Sequence, residues 1–124
     1  MNTAAFIRAY NESRNGTESF TRHWAARNFY FSDGVIECAD AGCHWLLDIA
    51  ATELPQAMRK HQALQAFLEV AVKDGAAKLS LTVSDDLPPI WSRSIDFTDL
   101  PEGDWVFELV DESERVAMIL ISEH

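Results

Sequence analysis

Basic residues are scarce in this chain: ten Lys and Arg stand against twenty Asp and Glu, a formal charge of −10 over 124 residues. That shortage argues against direct binding of nucleic acid, which draws on cation contacts and counterion release, and Arg59-Lys60 is the only adjacent basic pair. Cysteine is almost absent. Cys38 and Cys43 are the only two, and a separation of five residues suits neither a zinc hairpin nor a redox pair, so free thiols are expected. No apolar run approaches the roughly 18 residues of a membrane span, and the start MNTAAFIRAYNESRNG has no long apolar core of the signal-peptide kind. The expectation is a cytoplasmic protein with no membrane partner. Also missing are a G-x-S-x-G elbow, a phosphate loop, an H-E-x-x-H pair and a G-x-G-x-x-G turn, the local devices that position nucleophiles, phosphates, zinc or dinucleotides. No catalytic residue, metal ligand or cofactor is therefore assigned.

The chain does have the means to fold. Apolar residues make up 48% of it, with four Trp and seven Phe, whereas disorder requires low hydrophobicity as well as high charge. The length fits one domain over residues 1–124 with a single core. The charge is concentrated: residues 1–62 hold seven acids against six bases, and residues 63–124 hold thirteen against four. Between Asp85 and Glu114 ten residues are acidic and Arg93 is the only base. A surface of that kind steers basic partners toward it and repels polyanions.

Periodicity divides the chain into helices followed by strands. Thr3 caps a first helix carrying Ala4, Phe6, Ile7, Ala9 and Tyr10 before Asn15-Gly16 stops it, and Thr17 opens a second helix to Arg27 with Phe20 and Trp24 on one face. Asn28 to Phe31 reads as an extended segment closed by Ser32-Asp33-Gly34. Val35 to Glu53 is helical, bent or broken at Gly42, and Pro55 ends that helix or begins a short turn to Lys60. Leu68, Val70 and Val72 then alternate with polar or small residues, Asp74-Gly75 turns the chain, and Leu79, Leu81 and Val83 alternate on the return: an antiparallel hairpin. Trp91 to Phe97, Trp105 to Leu109 and Val116 to Ile121 supply three more strands. The expected class is α+β, with N-terminal helices packed on a C-terminal antiparallel sheet of about five strands.

Several separated stretches carry a resemblance: Asn15-Gly16-Thr17-Glu18, Arg22-His23-Trp24, Ser32-Asp33-Gly34-Val35, Ala41-Gly42-Cys43-His44-Trp45-Leu46-Leu47-Asp48, and the tail from Phe97-Thr98-Asp99-Leu100-Pro101 to Ile121-Ser122-Glu123. Together they resemble a family of small uncharacterised bacterial proteins, a domain of unknown function often found on prophages and other mobile elements. The resemblance implies no activity, and it implies a setting in which a protein acts against a host system.

Three constellations are candidates for function. Glu37, Asp40, His44 and Asp48 share one face of a continuous helix and could hold a metal or share protons, although an exposed helix face looks the same. His23 lies beside Trp24 and could act as a base, although a histidine satisfied by its neighbours is the plainer reading. The third is the acidic tract, with Asp85, Asp86, Asp96, Asp99, Glu102, Asp104, Glu108, Asp111, Glu112 and Glu114 as partner-binding residues and Trp91 as their apolar contact. Solubility alone would be served equally well by mixed charge. The leading expectation is a non-enzymatic inhibitor of a host defence system, of the anti-CRISPR or DNA-mimic type. It would occupy a basic protein surface, such as that of a CRISPR effector or another nucleic-acid-binding complex. The alternatives are a small metal- or His-dependent hydrolase or transferase, and an oligomeric structural or regulatory domain that shares its last strand across an interface.

Overall fold

Asp74 and Gly75 take φ angles of +55° and +77°, the backbone that closes a two-residue hairpin with the right-handed twist of its strands. Around that turn, in a computed structural model that describes Ala4, Phe6, Ile7 and residues 20–120, the chain builds a seven-stranded sheet. Its strands are β1 (Phe20–Arg22), β2 (Phe29–Ser32), β3 (Gln65–Lys73), β4 (Ala76–Thr82), β5 (Trp91–Ile95), β6 (Gly103–Asp111) and β7 (Val116–Leu120). The order across the sheet is β1-β2-β7-β6-β3-β4-β5. The expected hairpin is β3–β4, and the three strands expected after it are β5, β6 and β7. Alternation works as read: Leu68, Val70, Leu79 and Leu81 are buried, while Glu69, Ala71 and Lys78 are exposed.

The α+β class holds, with a larger sheet than the expected five strands. It is mixed, because β2 runs parallel to β7 while every other neighbouring pair is antiparallel. The helix expected from Thr17 to Arg27 is absent where the residues are described. Phe20–Arg22 is instead an edge strand on β2, where Phe20 and Tyr30 both lie within cation–π reach of Arg115. The first expected helix falls mostly outside the described residues; Phe6, which is described, is helical, buried and edge-on to Trp105 with ring centroids 5.0 Å apart.

Among residues 20–120, in place of several helices there is one long one preceded by a short turn. A six-residue turn, α1 (Asp33–Cys38), starts where the Ser32 hydroxyl accepts the Val35 amide. It passes through a π-helical stretch, Ala39–Cys43, into α2 (His44–Lys60). The break falls at Gly42, whose φ of +126° is open only to glycine without strain. Pro55 does not end the helix: α2 continues five residues beyond it. Proline removes the amide that would bond the Ala51 carbonyl and costs about 3 kcal/mol in a helix interior. Burying Leu54 and Met58 completely against the sheet, at about 1.5–3 kcal/mol each, offsets that cost.

The α2 helix covers the inner face of the sheet with Leu46, Leu47, Ala50, Ala51, Leu54 and Met58, packed over residues such as Leu68, Leu79, Phe107 and Met118. All five residues of β7 are buried, and the strand lies between β2 and β6. It has no free edge to share, which removes the expected route to an oligomer through Val116 to Ile121. Among the described residues the edges are β1 and β5.

Candidate functional site

Consecutive turns of an antiparallel sheet lie at opposite ends, and this decides where the acidic tract goes. Asp96, Asp99 and Glu102 occupy the β5–β6 connection, beside Asp74 in the β3–β4 turn and Asp104 at the start of β6. The two turns are stitched together: the Thr98 amide donates to the Gly75 carbonyl at 2.8 Å, and the Asp74 amide to the Glu102 carboxylate at 3.2 Å. The nine residues of β6 then carry the chain about 27 Å to the other end. There Asp111, Glu112 and Glu114 form the β6–β7 turn, with Asp85 and Asp86 in the β4–β5 connection. The acidic residues thus form two groups, one at each end of the sheet.

Both groups are neutralised in part. At the β6–β7 end Glu112 pairs with Arg115 at 2.9 Å, and Asp111 lies 4.0 Å from Arg59 while also accepting the Ser113 amide. At the β5–β6 end Asp96, Asp99, Glu102 and Asp104 are all exposed; Lys73 ends β3 beside them, Lys78 lines a hollow together with Asp104, and a hydrogen bond with the N-terminal ammonium holds the Asp99 carboxyl below its usual range. Glu108 belongs to neither group. It is 2% exposed, faces away from α2 in mid-strand, and accepts a hydrogen bond from the Gln65 side-chain amide. Trp91 is half-buried, with its ring turned toward α2 and the wall of a hollow that Glu53, Lys60 and His61 also line. The indole that stands in solvent is Trp24, 84% exposed.

His23 is held on both sides. Its Nδ1 accepts the amides of Ala25 at 3.1 Å and Ala26 at 2.9 Å, so the ring proton lies on Nε2 and is donated to Asp48 Oδ1 at 2.8 Å. The lone pair that a general base would use is occupied by backbone, as the plainer reading of this histidine anticipates. The same bond takes Asp48 away from the helical stripe. Gly42 breaks the register between Asp40 and His44, which still meet at 3.3 Å as an exposed pair, and among the described residues no group of three or more His, Cys, Asp or Glu is arranged to hold a metal.

The family match spans residues 8–124, nearly the whole chain. The chain belongs to DUF6876, a family of unknown function. No curated protein and no solved structure matches it. Membership therefore brings no activity to the residues above, and their geometry has to carry the functional reading. No described helix is long and apolar enough to cross a membrane.

Both cysteines are free and buried. The Cys43 thiol donates to the Cys38 carbonyl at 3.3 Å, and its pKa is pushed up to about 12, chiefly by burial and further by the nearby charge of Asp99. That is the opposite of an activated nucleophile. Two features were not evident in the sequence: the exposure of Trp24, and a hollow that Arg27 and Arg59 line from separate segments. Helical spacing puts Trp24 on one face with Phe20 and does not show its exposure, and nothing in the order of residues pairs those two arginines.

Proposed function

We propose that this protein is a non-enzymatic binding protein whose β5–β6 end, carrying Asp74, Asp96, Asp99, Glu102 and Asp104, docks on a basic protein surface. The reading rests chiefly on one observation: five carboxylates converge from two stitched turns, in excess of the bases beside them, which are Lys73, Lys78 and the N-terminal ammonium at Asp99. Converging like charges at a rigid end raise the local potential, speed encounter with a cationic partner and select against acidic ones. The engagement of both His23 nitrogens and the inert Cys43 thiol favour binding over chemistry.

The partner class we favour is a nucleic-acid-binding complex of a host defence system, such as a CRISPR effector, with the protein acting as an inhibitor encoded on a mobile element. Its groove for a polyanion is the kind of basic surface such an end fits. A DNA mimic in the strict sense would need one continuous stripe of charge, and the separation of the two groups along β6 directs the proposal to docking by one end.

The test is affinity capture from the native host with wild-type protein and with an Asp96→Asn, Asp99→Asn, Glu102→Gln, Asp104→Asn variant, followed by binding kinetics with the captured partner. The variant should lose the partner at unchanged thermal stability, and raising salt should slow wild-type association severalfold. Equal affinity of variant and wild type, or association indifferent to salt, overturns the reading.

A further inference from the structure

A hollow with two arginines on its walls lies between α2 and the loop before β2, beside the β6–β7 turn. The loop from His23 to Asn28 runs along the α2 face that carries Asp48, Thr52, Gln56 and Arg59, anchored at one end by the His23–Asp48 bond and at the other by the Val116 amide donating to the Asn28 carbonyl at 2.8 Å. Between loop and helix is a hollow of about 240 Å3, with Arg27 and Arg59 on its walls, Asn28, Thr52 and Gln56 as polar lining, and an apolar floor that includes Phe29 and Val116.

We propose that this hollow binds a small phosphate-class oxyanion, either inorganic phosphate or the terminal group of a phosphomonoester. Two arginines from different segments line it, and the planar donor fork of a guanidinium matches the oxygens of such an anion. Among the described residues Arg27 makes no ion pair, and Arg59 meets Asp111 only at 4.0 Å, beyond hydrogen-bond distance. Size limits the ligand: drug-sized molecules occupy roughly 300 Å3 or more, whereas this hollow fits one phosphate group with a short substituent. The net charge of −10 makes the surroundings unfavourable for anions, so binding depends on direct contact with both arginines and not on the general field.

The experiment titrates isotopically labelled protein with inorganic phosphate and, separately, with glycerol 3-phosphate, at ionic strength matched with sodium chloride. Saturable shifts are expected at the amides of residues 26–29 and 51–59, tighter for the ester if the hollow receives its substituent and equal if phosphate alone is held. Arg27→Gln and Arg59→Gln should each weaken binding about tenfold, the loss expected for one charge-assisted contact. Asp111→Asn should tighten it, because a competing anion is removed while the Ser113 hydrogen bond is kept. No saturable shift beyond the chloride control, or shifts that persist unchanged in the Arg27→Gln, Arg59→Gln double variant, overturns the proposal.

Discussion

His23 Nε2 and Asp48 Oδ1, 2.8 Å apart and 25 residues distant in sequence, clamp the loop before β2 onto α2. The imidazole contributes more to this clamp than the carboxylate does, because it is buried and also caps the turn at Ala25 and Ala26, whereas Asp48 is more than half exposed. We expect His23→Ala to lower unfolding free energy by about 2–3 kcal/mol, since it strips partners from two amides and one carboxylate. Asp48→Asn, whose side-chain oxygen can still accept, should cost about 0.5 kcal/mol or less. Urea midpoints at constant m-value check both, and equal losses would mean that the turn amides gain nothing from the ring.

Cys43 should be silent toward alkylating reagents at about pH 8 until the protein unfolds, as should buried Cys38. The same thiol sets an alkaline limit. Its pKa is raised from 9.0 to about 12 on folding, so the folded state retains a proton that the unfolded chain releases earlier. The associated stability is complete below pH 9.0 and is lost as pH rises toward about 12. Chemical denaturation across that range should show wild-type protein losing ground relative to Cys43→Ala; parallel curves would count against the burial of the thiol.

The β3–β4 turn isolates a backbone effect. A Cβ on Gly75 would meet nothing within 4 Å, so Gly75→Ala should cost only the strain of φ +77°, about 1 kcal/mol. Gly75→Asn should recover part of it, because asparagine tolerates that backbone better. A much larger loss in the thermal melt would point to a packing role for the turn that its open surroundings do not support.

Arg93 sits mid-strand on edge β5, faces α2 and pairs with Glu53. A charge pointing inward from an edge strand blocks pairing with a second sheet. Arg93→Val should therefore change the melting temperature little, since an exposed pair contributes about 0–1 kcal/mol, while promoting self-association visible by sedimentation. A variant that stays monomeric at high concentration would assign edge protection elsewhere.

Much of the fold was legible because it is local. The β3–β4 hairpin follows from alternation around Asp74-Gly75, and the helix break at Gly42 from glycine's tolerance of positive φ. What was missed is long-range. Phe29 to Phe31 look like an isolated aromatic segment until Val116 to Met118 pair alongside them, and no periodicity encodes that partnership. Phe20, Trp24 and Arg27 fit a helical interval, yet pairing of Phe20–Arg22 with β2 overrode the local pattern. Pro55 reads as a stop because a sequence shows the lost hydrogen bond but not the burial of Leu54 and Met58 on either side of it. At the site, Asp99 and Glu112 are close in sequence and far apart in space, since a full strand intervenes. Glu108 alternates outward as expected, but Gln65 meets it on the sheet and it is buried there.

The parallel seam between β2 and β7 also has a consequence for biosynthesis. Phe29 and Phe31 leave the ribosome early, while the strand that covers their flank is translated near the end; at about 5–20 residues per second they wait on the order of ten seconds for it. Until then the nascent chain holds two large aromatic rings and an open strand edge in water. The connectivity thus leaves the two halves of the sheet unjoined until Val116–Leu120 has been made.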